Sequence, residues 1–292
     1  MSADAWETVR QAFLDNAREV SLRYREEIER WNPIKADGKD FIPGYIPYIG
    51  DDYFNPRTEG RRILAYALSQ NLDEKASYAR DWARDWKEGD GNSALDRQNR
   101  SYQQNGGAAM HPFDTGHVPI LASLLRAQVS GRNPGDDESI YPEIAATNLS
   151  KFSFRSSDKR LTIDSLSSLR QCWDWFSRLE VAMLRPDYII CCDSRIYEIV
   201  REQASPQPAG GTRTPTVIRV AFPNIRVINR HYRKPLREEH LQPTGLKERV
   251  SAVDRSRKLY NGRTIAEIID RDNYYFAEMF ARMVSQCREG RN

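Results

Sequence analysis

The chain has 292 residues, of which 39% are hydrophobic and 29% charged, and its formal net charge is +3. That length suffices for one large domain or two small ones with a buried core, and no apolar stretch nears the ~20 residues that a membrane span needs. Met1 to Trp6 lack the basic start and apolar run of a secretory leader, so the expectation is a cytoplasmic protein with no membrane contact. Cys172, Cys191, Cys192 and Cys287 form no C-x-x-C pair and the four histidines have no metal-ligand spacing, which points to reduced, buried thiols and to no metal or cofactor. No phosphate-loop or dinucleotide fingerprint is present, which argues against an ATPase or a dehydrogenase.

In chain order, Trp6, Val9, Phe13, Ala17, Val20, Tyr24, Ile28 and Trp31 recur at three- and four-residue steps and predict a helix over residues 4–31, ended by Asn32-Pro33. Residues 1–40 thus read as a helical extension and residues 41–292 as one compact α/β unit. Pro43 and Pro47 argue against a central strand, and Phe41 to Pro56 reads as an ordered loop carrying Ile49-Gly50-Asp51-Asp52-Tyr53-Phe54. A first strand is predicted over Arg62–Leu68, followed by a helix over 73–88 and a long polar segment over 89–117. A helix over Pro119–Val129 precedes a second strand at Ile144–Ala146. A helix over Leu161–Leu184 is broken by Arg185-Pro186-Asp187, and a third strand begins at once at Tyr188. Residues 204–216 read as a flexible connection, Ile225–Ile228 as a fourth strand, and Thr264–Cys287 as a final helix. Alternating strands and helices make a parallel or mostly parallel α/β domain.

The four apolar runs end on polar residues: Ser69-Gln70-Asn71, Thr147-Asn148, Asp193 and Asn229-Arg230-His231. Such runs suit strands buried on both faces, and in an open α/β sheet ligands sit beyond the carboxyl ends of the strands. Asn71, Asn148, Asp193 and His231 are therefore expected to gather at one edge. The charge is uneven as well: residues 1–194 carry 25 Lys and Arg against 30 Asp and Glu, and residues 195–292 carry 19 against 11. Arg226, Arg230, Arg233, Lys234 and Arg237 fall in one stretch without an acid, which suggests a polyanionic partner.

The order of Ile63–Asn71, Ala146-Thr147-Asn148-Leu149-Ser150-Lys151, Cys172–Asp193 and Ile228-Asn229-Arg230-His231 resembles the uracil-DNA glycosylase superfamily over roughly residues 40–240. The resemblance implies a three-layer αβα fold with a central, mostly parallel four-stranded sheet, here with an added N-terminal helix. It implies a hydrolase of N-glycosidic bonds that flips a damaged or modified pyrimidine out of DNA and leaves an abasic site, acting as a monomer without a cofactor. The Gly-x-Asp-Pro-Tyr loop of such enzymes is absent, and Ala67-Leu68-Ser69-Gln70-Asn71 stands after the first strand instead. A member type implicated in defence against phages with bulky modified cytosines makes glucosylated hydroxymethylcytosine a candidate substrate, with segment 89–117 enlarging the pocket.

On that resemblance Asp52, then Asp51, would stabilise the cationic sugar and supply water, unless they are solvated loop acids. Gln70 or Asn71 could fill the same catalytic-loop role, and Ser69 or Asn71 could instead cap a helix. Asn148 would offer a donor and an acceptor to a pyrimidine's pairing edge, or form a turn. Tyr53 or Phe54 would stack on the base, with core packing as the alternative. His231 would donate to the leaving base, Tyr232 and Arg233 would wedge into the duplex, and Lys151, Arg230 and Lys234 would hold phosphates. The alternatives are a non-catalytic DNA-binding relative and an α/β hydrolase acting on a free nucleotide or nucleoside.

Overall fold

The computed structural model describes residues 3–24, 26–27, 47–56, 61–68, 116–151, 166–204, 214–223, 225–232, 245–259 and 262–289. Their centre is a mixed sheet in the order β1-β3-β2-β4-β5. Its strands are β1 (Tyr48–Ile49), β2 (Ile63–Ala67), β3 (Ile144–Asn148), β4 (Tyr188–Cys191) and β5 (Thr216–Arg219). β2, β3 and β4 are buried along their whole length, as parallel strands covered on both faces must be.

Among the described residues the sheet has five strands rather than four. β1 pairs antiparallel with β3, placing Tyr48 opposite Ala146 and Ile49 opposite Ala145. Among its described residues the Pro- and Gly-rich segment contributes two to the sheet, and they lie at an edge, where Pro47 costs no ladder bond. A second correction concerns the last strand. Ile225–His231 is a helix (α6), and the strand precedes it as Thr216–Arg219. Both segments are short apolar runs, whose period alone does not separate strand from helix. Pro223 sits just ahead of the helix, where proline favours a start, and Ile228 is buried in the core.

The parallel register aligns Ile144, Ile63, Tyr188 and Thr216 at one edge of the sheet. Asn148, Ala67, Cys191 and Arg219 therefore share the carboxyl edge. Chain direction reverses between β2 and β4: β2 leads to β3 on one side, and the chain then crosses to β4 and β5 on the other. Ligands bind beside such a switch point in doubly wound sheets.

Helices cover both faces. α2 (His117–Ser130), α8 (Ile265–Arg271) and α9 (Asn273–Glu289) pack with Ile63, Ala65, Ala146, Ile190 and Ile218. α3 (Leu166–Cys172), a π-helical turn (Trp173–Ser177) and α4 (Arg178–Leu184) run end to end on the opposite face, with α5 (Ser194–Gln203) and Leu64, Tyr66 and Ile189. α1 (Ala3–Arg23) joins that layer through Val9, Phe13 and Leu14, and Tyr24 stacks on Trp175 at 4.3 Å. A short helix, α7 (Ala252–Arg255), is capped by Ser251. The predicted final helix is divided: α8 ends before Asp272 and α9 begins after it. Cys191 and Cys192 face opposite cores, and all four cysteines are buried and outside any disulfide. No helix among the described residues is long and apolar enough to cross a membrane.

Candidate functional site

The carboxyl edge is built from the ends of β2 and β3. Their ladder continues past the strands, with Leu149 N–H donating to the Ala67 carbonyl at 2.9 Å and Ser150 N–H to the Leu68 carbonyl at 2.8 Å. Alternation along β3 sends Ala145, Thr147 and Leu149 towards α3–α4, and Ala146 and Asn148 towards α2. Asn148 is fully buried, and neither its Nδ2 nor its Oδ1 has a hydrogen-bond partner. Buried polar atoms in folded proteins are nearly always paired, so an orphaned carboxamide marks a place where a partner belongs.

Behind Asn148, on the opposite face, lies an ionic cluster. Lys151 Nζ is 2.5 Å from Glu180 Oε1 and donates to Thr147 Oγ1 at 2.5 Å, while Tyr66 OH donates to Glu180 Oε2 at 3.2 Å. Burial lowers the Lys151 ammonium and raises the Glu180 carboxyl, and the opposite charge of each partner counters the shift of the other. Burial also lifts the neighbouring Cys172 thiol to about 11, against the pull of Lys151. Lys151 is thus enclosed and paired, with no ammonium left at the surface for a phosphate. This corrects its expected role.

The carboxylates are displaced too. Because β1 runs antiparallel to β3, the turn that follows it reaches the amino edge: Gly50 N–H donates to the Ile144 carbonyl at 3.0 Å and Asp52 N–H to the Pro142 carbonyl at 2.8 Å. Asp52 is bonded to Pro142, two residues ahead of β3, and Asp51 stands beside it in the same turn, so both lie beyond the amino end of a strand whose carboxyl end holds Asn148, four residues or roughly 13 Å further along at 3.3 Å per residue. Tyr53 and Phe54 belong to the same turn. Tyr53 is wholly buried, its phenol pKa pushed up by burial and tuned by Arg62 and Asp187 at that amino edge. Phe54 packs against the core edge-on to Tyr53 at 5.2 Å. These four residues are therefore not brought to Asn148.

Asp193 does lie at the carboxyl edge, where it caps α5 by accepting from Arg195 N–H at 2.8 Å. Arg230 and His231 are exposed on the last turn of α6. Tyr232 follows them and packs on Tyr275 at 5.3 Å, and Tyr275 OH donates to the Ala221 carbonyl just beyond β5 at 2.7 Å. This end of α6 accordingly shares the carboxyl edge with Asn148, across three strand spacings, roughly 14 Å. Ser69, Gln70, Asn71, Arg233 and Lys234, and most of segment 89–117, lie outside the described residues.

One constellation escapes sequence reading altogether. His117, the first residue of α2, has Nε2 2.7 Å from Asp272 Oδ2, both side chains being buried. Arg271 adds Nε to Oδ1 at 2.9 Å and Nη2 to Oδ2 at 2.5 Å. The imidazole stacks on Phe276 at 5.3 Å. Burial raises the Asp272 carboxyl, but the hydrogen bonds from His117 and Arg271 outweigh it and hold the group at about 2. His117 and Asp272 are 155 positions apart and neither stands in a motif. Only the fold brings them together, at the carboxyl end of the α2 face.

Among the described residues no group of three His, Cys, Asp or Glu side chains could hold a metal ion. Compared with family models, with curated proteins and with solved structures, the chain finds no match in any of the three.

Proposed function

We propose that the chain is a DNA glycosylase: it takes an extruded pyrimidine at the carboxyl edge of its three-layer αβα fold, reads the base with Asn148 and hydrolyses its N-glycosidic bond. The observation that carries this reading is the Asn148 carboxamide, buried and unpartnered at both polar atoms on the carboxyl edge, one strand from the switch point between β2 and β4. A carboxamide places a donor and an acceptor side by side, complementary to the pairing edge of a pyrimidine. Enzymes that act on a base take it out of the stack into such an enclosed site.

Water forms the new bond to C1′ of the sugar as the bond to the base nitrogen breaks; the base leaves with the electron pair, the attacking water gives up a proton to solvent, and the departing base takes one up. His231, near the same edge, is the donor to the leaving base. Asn71, three residues beyond Leu68, takes the water-positioning role, with Gln70 and Ser69 beside it, because Asp51 and Asp52 belong to the other edge. Arg230 and Tyr232, continued in sequence by Arg233 and Lys234, supply phosphate contacts and a wedge.

The test is a gel assay for abasic sites on DNA containing uracil and on DNA containing glucosylated hydroxymethylcytosine. The proposal expects abasic sites on at least one, and cleavage of neither removes it. The remote carboxylates favour one second reading, a non-catalytic DNA-binding relative. That reading expects DNA binding that falls steeply with salt and no abasic sites.

A further inference from the structure

Five residues, Thr147 to Lys151, form the turn that carries Asn148, and the side chains at its two ends are joined. The Lys151 ammonium folds back to the Thr147 hydroxyl and to Glu180 of α4, and Glu180 is held in turn by Tyr66 of β2. One cation thus ties β3, α4 and β2 together, on the face opposite to the Asn148 side chain. The backbone between them is fixed as well, through the bonds of Leu149 and Ser150 to β2. Every neighbour of Asn148 along the turn is anchored, and its own carboxamide is left unpaired.

Stability does not explain this cluster. A buried ion pair gains little over apolar side chains of the same volume, because desolvation offsets the attraction. The surrounding core, with Leu64, Leu149, Leu169 and Trp173, is apolar and would accept such side chains. Directional bonds do explain it, because they fix one orientation of a turn where apolar packing would permit several.

We propose that Lys151 and Glu180 are positioning residues, a pin that holds the Asn148 carboxamide at the angle at which it meets its ligand. This rests on the reading of Asn148 as the base-recognising group. Their effect passes through the turn, since neither reaches the α2 face on which Asn148 projects.

The experiment compares the full chain with the double variant Lys151→Met/Glu180→Leu, which replaces the pin by apolar groups of similar size, and with Thr147→Val, which removes only the hydroxyl. The readout is the side-chain amide resonance of Asn148 in asparagine-labelled protein, assigned by its loss in Asn148→Ala. The pin predicts one sharp amide pair in the wild type. In the folded double variant it predicts a displaced or broadened pair, with base release about a hundredfold slower, as expected when a binding group is misplaced by an ångström. Thr147→Val should show a smaller displacement of the same signal, and it decides the matter if the double variant does not fold. An Asn148 resonance unchanged in position and width in the folded variants would overturn the proposal. Should the wild type release no base, the glycosylase reading falls, and the resonance still decides whether the pin exists.

Discussion

Asn148 makes no hydrogen bond through its side chain, so shortening it to alanine removes no internal partner. Each uncompensated buried polar group costs about 1–3 kcal/mol, which offsets the small cavity that the substitution leaves. Asn148→Ala is therefore expected to melt within a few degrees of the wild type; under the glycosylase proposal, base release falls by at least a hundredfold in this variant, the usual scale for losing a preorganised hydrogen-bonding group. Asp51→Ala and Asp52→Ala should do the opposite of what their sequence context suggests. They stand at the far edge, and the rate of base release should stay within about twofold of wild type in both. The sequence made Asn148 visible, since an asparagine ending an apolar run is a local feature. It hid the burial of Lys151, because lysine is enclosed only when paired and its partner Glu180 lies in another element. Tyr53 and Phe54 misled for the same reason: an aromatic pair in a loop looks the same whether it faces a ligand or the core.

Between elements, two contacts carry predictions. His117 of α2 and Asp272, between α8 and α9, join the helices of one face. The Asp272 carboxyl is held at about 2 in the folded protein against an ordinary value of 3.8. A depressed carboxylate contributes stability that is present above its unfolded pKa and lost as pH falls through the folded one. Asp272→Asn should therefore cost about 2 kcal/mol at neutral pH and flatten the loss of stability between about pH 4 and pH 2, as followed by denaturant melts across that range. At the amino edge, Gly50 lies so close to the turn that precedes β3 that an added Cβ would sit 2.3 Å from the Pro142 carbonyl oxygen. Gly50→Ala should destabilise by about 1–3 kcal/mol through overpacking, with Tm as the measure and base release per folded molecule unchanged. β2, β3 and β4 were legible because both faces of each are buried, which leaves an uninterrupted apolar run. β5 was not: of its four residues only Ile218 is buried, and the neighbouring run Ile225–Ile228 is as short and as apolar, so the pattern does not say which of the two is the strand.

For the molecule as a whole, topology decides which residues can cooperate. The parallel register sets Asn148, the end of β2 and the Tyr232–Tyr275 contact along one edge, and the antiparallel β1 carries Asp51 to Phe54 to the other. Strand direction is a property of pairing, which a single sequence does not display, so the sequence could name Asn148 and Asp51 to Phe54 as candidates but could not show that they stand at opposite edges. The central claim is that a nucleobase meets the Asn148 carboxamide, and the most direct measurement is the side-chain amide resonance of Asn148 during titration with a single-stranded oligonucleotide containing uracil or the modified cytosine. The account predicts a saturable shift of that resonance with one of the two oligonucleotides. Saturable shifts elsewhere on the chain, with the Asn148 amide unmoved by both, would contradict it.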